Sequence, residues 1–166
     1  MTLELLPLDL TICRFDPERK APPWAKESRL LSVFRGEEEL SLICESRVVP
    51  PETTREDGWC CFKLAGTQPF TLTGVLNSIL TPLGEAGVSI LALSSFDTDY
   101  VLVKKERLEE AITALKERFA LRYRESGLVV AEPLETERLE LRRCRFDDIE
   151  PVYAYASREE KNRYTT

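Results

Sequence analysis

Residues 58–105 read GWCCFKLAGTQPFTLTGVLNSILTPLGEAGVSILALSSFDTDYVLVKK, and this stretch decides the fold. "WCCFKLAG" (59–66) has the apolar content of a strand and is stopped by glycine. From Thr71 to Ala86, Leu72, Val75, Leu76, Ile79, Leu80 and Leu83 recur three and four residues apart, which predicts one amphipathic helix. Thr71 or Thr73 is placed to cap its start, Pro82 to loosen its last turn, and Gly87 to end it. "VSILALSSF" (88–96) is apolar on both faces, as a central strand would be. "DTD" (97–99) makes a polar turn, and "YVLVKK" (100–105) returns as a strand.

Working outward, a second helix is expected over about 106–119, with Leu108, Ala111, Ile112, Leu115 and Phe119 on one stripe. Glu106, Glu109 and Glu110 near its start and Lys116 and Arg118 near its end suit the helix dipole. "LRYRESGLVV" (121–130) supplies a closing strand. The order β-α-β-β-α-β is the ferredoxin-like arrangement, an antiparallel sheet with two helices on one face.

Upstream, residues 2–13 (TLELLPLDLTIC) read as a first strand ending near Phe15, followed by a Pro-rich loop over 16–28. "LLSVFRGEEELSLICE" (30–45) reads as two short strands around a polar turn at 35–38. "SRVVPPETTREDG" (46–58) is irregular and marks the best internal boundary. There is also an internal echo. "SVFRGEEELSLIC" (32–44) resembles "SSFDTDYVLVKK" (94–105), with a turn about two residues longer in the first copy. Residues 1–50 therefore read as a reduced β version of the later unit. The units expected are 1–50, 58–131 and 135–166, and the fold class is α+β with a short C-terminal strand–helix appendage.

Composition bounds the function. The chain has 166 residues, with Lys plus Arg 23 against Asp plus Glu 29, a net charge of −6. That acidic balance argues against a nucleic-acid or anionic membrane partner. No apolar run approaches the ~20 residues that span a bilayer. Histidine is absent, which removes Ser-His-Asp and Cys-His catalysis and histidine-ligated zinc. The cysteines at 13, 44, 60, 61 and 144 include no CxxC spacing, so neither a metal site nor a disulfide framework is expected. Buried thiols in a reducing cytoplasm are the simple reading. No signal peptide is legible at the N-terminus, and no cofactor is implied.

Two clusters carry the candidate chemistry. The helix start offers free backbone N–H groups at Thr73, Gly74 and Val75, where a carboxylate is the natural guest. The hairpin supplies hydroxyls at Ser94, Ser95 and Thr98 and carboxylates at Asp97 and Asp99, either of which suits an ammonium. One end takes an anion and the other a cation, so a free amino acid fits. Asp97, Thr98 and Asp99 are equally good residues for an ordinary hairpin turn.

The 58–115 stretch closely resembles an ACT domain, and more narrowly the bacterial ACT proteins related to the CASTOR arginine sensors. The resemblance rests on the PF-x-x-TG-V-L helix start, the AG-V-SI strand and the S-S-F-DTDYVLV hairpin, with "ELSLIC" (39–44) and "VVPP" (48–51) fitting the N-terminal half. It covers about 1–120. Ser95 stands where threonine is usual, and Gly84 where alanine is common. The resemblance implies a regulatory module holding a small ligand, mostly an amino acid, between paired modules. Carried over, the ligand meets Thr73, Gly74 and Val75, then Ser95, Phe96, Asp97, Thr98 and Asp99, and finally Leu40 and Ser41. A homodimer is the implied assembly.

Residues 136–164 (TERLELRRCRFDDIEPVYAYASREEKNRY) resemble the opening strand and helix of a GNAT-type N-acetyltransferase. The Gly-rich acetyl-CoA motif of that family is absent from this chain. Three readings follow: a non-catalytic amino-acid-binding ACT protein, an ACT–N-acetyltransferase fusion whose catalytic part lies beyond this chain, and a purely structural dimerisation module. The first is favoured, with no catalytic residues assigned.

Overall fold

The computed structural model describes residues 1–67 and 73–124, together with the backbone of 134–135 and 140–141. The expected first strand is broken in two, β1 (Thr2–Leu5) and β2 (Leu10–Phe15). The break falls at Pro7, which has no N–H to give to a ladder. After a 3-10 turn at Pro23–Glu27 come β3 (Ser32–Arg35) and β4 (Leu40–Glu45), paired antiparallel. Then follow the long β5 (Arg55–Leu64), α1 (Val75–Glu85), β6 (Ile90–Ser94), β7 (Asp99–Lys104), α2 (Leu108–Lys116) and β8 (Ala120–Tyr123).

The order β5-α1-β6-β7-α2-β8 is the expected ferredoxin-like sequence of elements. Its sheet holds one strand more than expected. The chain's own N-terminal strand β1 lies between β5 and β8, antiparallel to the first and parallel to the second. Beyond Pro7 the same line of chain continues as β2 along the N-terminal half of β5, with Leu10 opposite Trp59. β4 and β3 extend the sheet outward from β2. The ten residues of β5 are thus common to both units.

Alternation along β5 sorts the cores. Cys60, Phe62 and Leu64 face the helices, together with Leu3 and Leu5 of β1, Val101 and Val103 of β7, and Ile79, Leu83, Ala111 and Leu115. Leu83 and Ile79 are fully buried, each worth about 1.5–3 kcal/mol of transfer free energy. Trp59, Cys61 and Leu102 face the other way and pack with Leu6, Leu10 and Ile43. A third cluster joins Cys13, Leu42, Cys44, Ala25 and Val49.

Two expectations need correction. β6 is an edge strand among the described residues, pairing with β7 alone. Its two apolar faces have separate customers: Ile90 packs under the helices, while Leu91 and Leu93 pack on the opposite cluster. The two hairpin turns are equal in length, not two residues apart. Gly36 N–H donates to Glu39 O and Ser95 N–H to Thr98 O, each at 2.9 Å. Phe34 and Phe96 therefore do not correspond, since Phe34 precedes its turn and Phe96 lies inside its own. As expected, α1 runs past Pro82 to Glu85 and Gly87 (φ +67°) turns the chain.

The appendage expected over 135–166 lies outside the described residues, apart from a short antiparallel pair, β9 (Leu134–Glu135) with β10 (Glu140–Leu141). No helix among the described residues is long and apolar enough to cross a membrane.

Candidate functional site

The β6–β7 bend is held from within and from below. The Ser95 hydroxyl donates to Thr98 O at 2.9 Å and accepts from the Thr98 N–H at 3.3 Å. The Ser94 hydroxyl donates to Asp99 Oδ1 at 2.6 Å. Thr98 is buried, and its hydroxyl donates to Leu64 O at 2.6 Å. That last bond fastens the bend to the C-terminal end of β5, the strand that leads on toward α1. Phe96 is 79% exposed at the tip, and Asp97 is exposed beside it.

At the head of α1, Gly74 occupies the N-cap position with φ +79°, a left-handed conformation that glycine adopts without strain. Its carbonyl accepts from Ser78 N–H at 2.9 Å. Among the described residues no side chain caps the helix. Thr73 therefore does not play the capping role expected of it, and Thr71 lies outside the described residues. Thr73 and Gly74 are exposed while Val75 is buried in the helix-side core.

Leu40 and Ser41 sit elsewhere. They open β4, where Leu40 is fully buried opposite Phe15 and the Ser41 hydroxyl donates to Glu39 Oε1 at 2.6 Å. Three strands separate β4 from β6 in the sheet, by way of β2, β5 and β7. The fold therefore ties the bend to the strand that precedes α1, and leaves Leu40 and Ser41 on the other unit.

The structure also shows a cleft that the sequence reading did not anticipate. It encloses about 810 Å³ between the helix-free face of the sheet and residues 29–33. Its floor carries Lys63, Tyr100 and Leu93, which stand side by side across β5, β7 and β6. Ser94 and Ser95 join it to the bend, and Arg124 stands on its rim. The roof segment is fixed by Glu45, which is buried at 3% exposure. Its carboxylate accepts from Arg29 N at 2.7 Å, from the Arg29 guanidinium at 2.8 and 3.0 Å, and from Arg47 at 3.1 and 3.2 Å. Burial alone would raise the Glu45 pKa; the arginine hydrogen bonds outweigh it and hold the group at about 2. Burial likewise pushes the Tyr100 phenol up, with Arg124 pulling it down and Asp97 pushing it up from nearby. The signal for this cleft was in the sequence as single charges breaking apolar strands: Lys63 in WCCFKL, and the alternating Arg122 and Arg124. Among the described residues no acid or thiol cluster has the makings of a metal site.

Comparison with known proteins fits this architecture. A family model described as an ACT domain matches residues 54–117, the segment holding β5, both helices and the bend. A second model, of an N-terminal domain, matches residues 9–52. The class is therefore an α+β protein built on an ACT domain. The solved structure of protein Atu0741 from Agrobacterium tumefaciens is 30% identical, superposes with a TM-score of 0.71, and is covered over 93% of its length by 75% of this chain. The chain belongs to the same family as that protein. The regulatory subunit of aspartate kinase from Thermus thermophilus shares the fold at 14% identity and a TM-score of 0.52, over 72% of this chain and 97% of that one. The human cytosolic arginine sensor for mTORC1 subunit 1 is 36% identical over 74 residues. That match takes in 45% of this chain and 21% of the sensor, so the chain spans about a fifth of the curated relatives it matches.

Proposed function

We propose that this protein is a non-catalytic regulatory module that binds a free amino acid at an interface between ACT units. The carrying observation is the Thr98–Leu64 hydrogen bond, which locks the acidic bend against the strand leading to α1. The α-carboxylate is assigned to the backbone N–H groups at Thr73, Gly74 and Val75, and the ammonium to Asp97 or Asp99. Phe96, exposed at the tip, closes over the ligand from the partner side, and Leu40 and Ser41 come from the β4 unit of the facing module. A homodimer supplies that second module. The framework is two sheet units, about 1–50 and 58–131, joined through β5, with β1 lodged in the sheet of the second. A relative supports the reading: the protein 36% identical over 74 residues is named as a cytosolic arginine sensor.

Native mass spectrometry against pooled amino acids tests this directly, because it reports ligand and stoichiometry together. One amino acid retained per module, lost in Asp99→Asn without loss of melting temperature, supports the proposal. Retention of none of the twenty overturns it in favour of a structural dimerisation module. Acetyl-CoA is expected to produce no thermal shift.

A further inference from the structure

We infer that the cleft between the helix-free sheet face and residues 29–33 is a second ligand site, built for a small organic acid with an apolar body. Three observations converge. First, the charge is one-sided. Among the described residues, the cleft's lining includes Lys63, Arg29 and Arg124 and no carboxylate. Arg29 is held by Glu45 at 2.8 Å, which leaves Lys63 and Arg124 to act on a guest. Neither forms an ion pair among the described residues. Glu4 stands opposite Lys63 and Arg122 in register, yet makes no ion pair with either.

Second, the two cations share an end. The Lys63 ammonium lies 6.0 Å from the centre of the Tyr100 ring, and Arg124 sits within electrostatic reach of the Tyr100 hydroxyl. Arg124 continues β8 on the face of Arg122, and its N–H donates to Leu5 O at 2.9 Å, which holds its backbone beside β1. With the Tyr100 hydroxyl, this end offers two cations and one neutral donor to one carboxylate. Third, most of the remaining lining is apolar. Leu6, Leu8, Leu30 and Leu93 enclose space for a short hydrocarbon chain. The volume lies within the ~300–1,000 Å³ usual for small-molecule sites. An apolar cleft with a few convergent charged groups at one end selects for an acid with a tail. An inorganic anion would leave the leucines wet, and a neutral hydrocarbon would leave the cations unanswered.

The site is separate from the helix-start clamp proposed above and stands or falls without it. The test is calorimetric titration of the full chain with hexanoate as the probe, beside hexan-1-ol and hexylammonium of the same chain length. Hexanoate is expected to bind once per chain, at least about tenfold more tightly than the alcohol or the amine. Lys63→Met and Arg124→Gln should each weaken it about fivefold or more. Arg124 is exposed, so its variant carries the test if Lys63→Met does not fold. Asp99→Asn should bind hexanoate as the parent does, which separates failure of this site from failure of the amino-acid site. Absence of saturable binding overturns the inference. So do equal affinities for hexanoate and hexan-1-ol, or parental affinity in both cation variants.

Discussion

Replacing Glu45 with Gln should destabilise the protein by an amount that depends on pH in a calculable way. The buried carboxylate is held at about 2 against an ordinary 4.5. One pKa unit is worth about 1.4 kcal/mol, so linkage assigns roughly 3 kcal/mol to ionised Glu45 at neutral pH. Arg29 and Arg47 are 54% and 58% exposed, and solvent screening at those ends trims the figure to about 2 kcal/mol. The sign follows from the depressed pKa. Above about pH 4.5 both folded and unfolded chains carry the ionised group, and the full contribution is present. As pH falls toward 2 the unfolded chain takes up its proton first, so the contribution shrinks, to about half at pH 3. Glu45→Gln should therefore cost about 2 kcal/mol at pH 7, about 1 at pH 3, and nothing near pH 2. Urea titrations followed by tryptophan fluorescence at several pH values measure this, with the slope m checked for constancy. A loss that is the same at pH 7 and pH 3, or below about 0.5 kcal/mol at pH 7, would refute the reasoning. It would mean that the arginines hold Glu45 no better than a surface pair does.

Thr98→Val removes a buried hydroxyl from Leu64 O and should cost about 1–2 kcal/mol by denaturation, whereas Thr98→Ser should recover part of it; equal stabilities for all three proteins would remove the anchor from the bend. Gly74→Ala meets no atom within 4 Å but forces a methyl onto a φ of +79°, so about 1 kcal/mol should be lost in thermal unfolding through backbone strain alone. Burial pushes the Cys13 thiol up, Cys60 to about 11, and Cys44 and Cys61 to about 12, so all four should resist a disulfide reagent at pH 8 until the chain is unfolded, as peptide mapping would show.

The sequence told unequally on different parts of this structure. Local signals were reliable. The stripe from Val75 to Leu83 gave α1, and the polar stretch after LALS gave the β6–β7 hairpin, although its turn lies at 95–98 and not at 97–99, Asp99 already opening β7. Pairing between distant segments was not legible. Nothing in TLEL announces that it will lie between β5 and β8, since the pattern of a strand says which face is apolar and not which edge it joins. The equal hairpin turns were missed because two phenylalanines, one before its turn and one inside, invited a false alignment. In the candidate site, the hydroxyl and acid content of the bend was plain, yet the internal bonds Ser94–Asp99 and Thr98–Leu64 were not, because they need coordinates. Lys63 and Arg124 stood in view as charges at alternate positions of apolar strands, but only the strand order brings them to one cleft.

The break at Pro7 is what makes that cleft. If residues 2–15 formed one continuous strand beside β5, the turn of chain at Leu6–Leu8 would lie flat in the sheet. Leu8 N–H would then donate across the ladder instead of to Leu6 O, its partner here at 2.9 Å. The interruption begins past Leu6, whose N–H still donates to Cys61 O at 2.9 Å, and lifts Pro7 and Leu8 out of the ladder; all three line the cleft, and Pro7 O accepts from the Arg29 guanidinium at 3.4 Å. A missing N–H and a buried acid thus act on the same few residues. Proline ends the pairing, and Glu45 draws the roof segment over the gap so created. Because β5 is long enough to hold β2 on one half and β1 and β7 on the other, the sheet absorbs the interruption as a shift of register between β1 and β2, with a further irregularity between Leu10 and Ile12. The apolar wall, the cationic floor and the bend beside them are consequences of one shared strand.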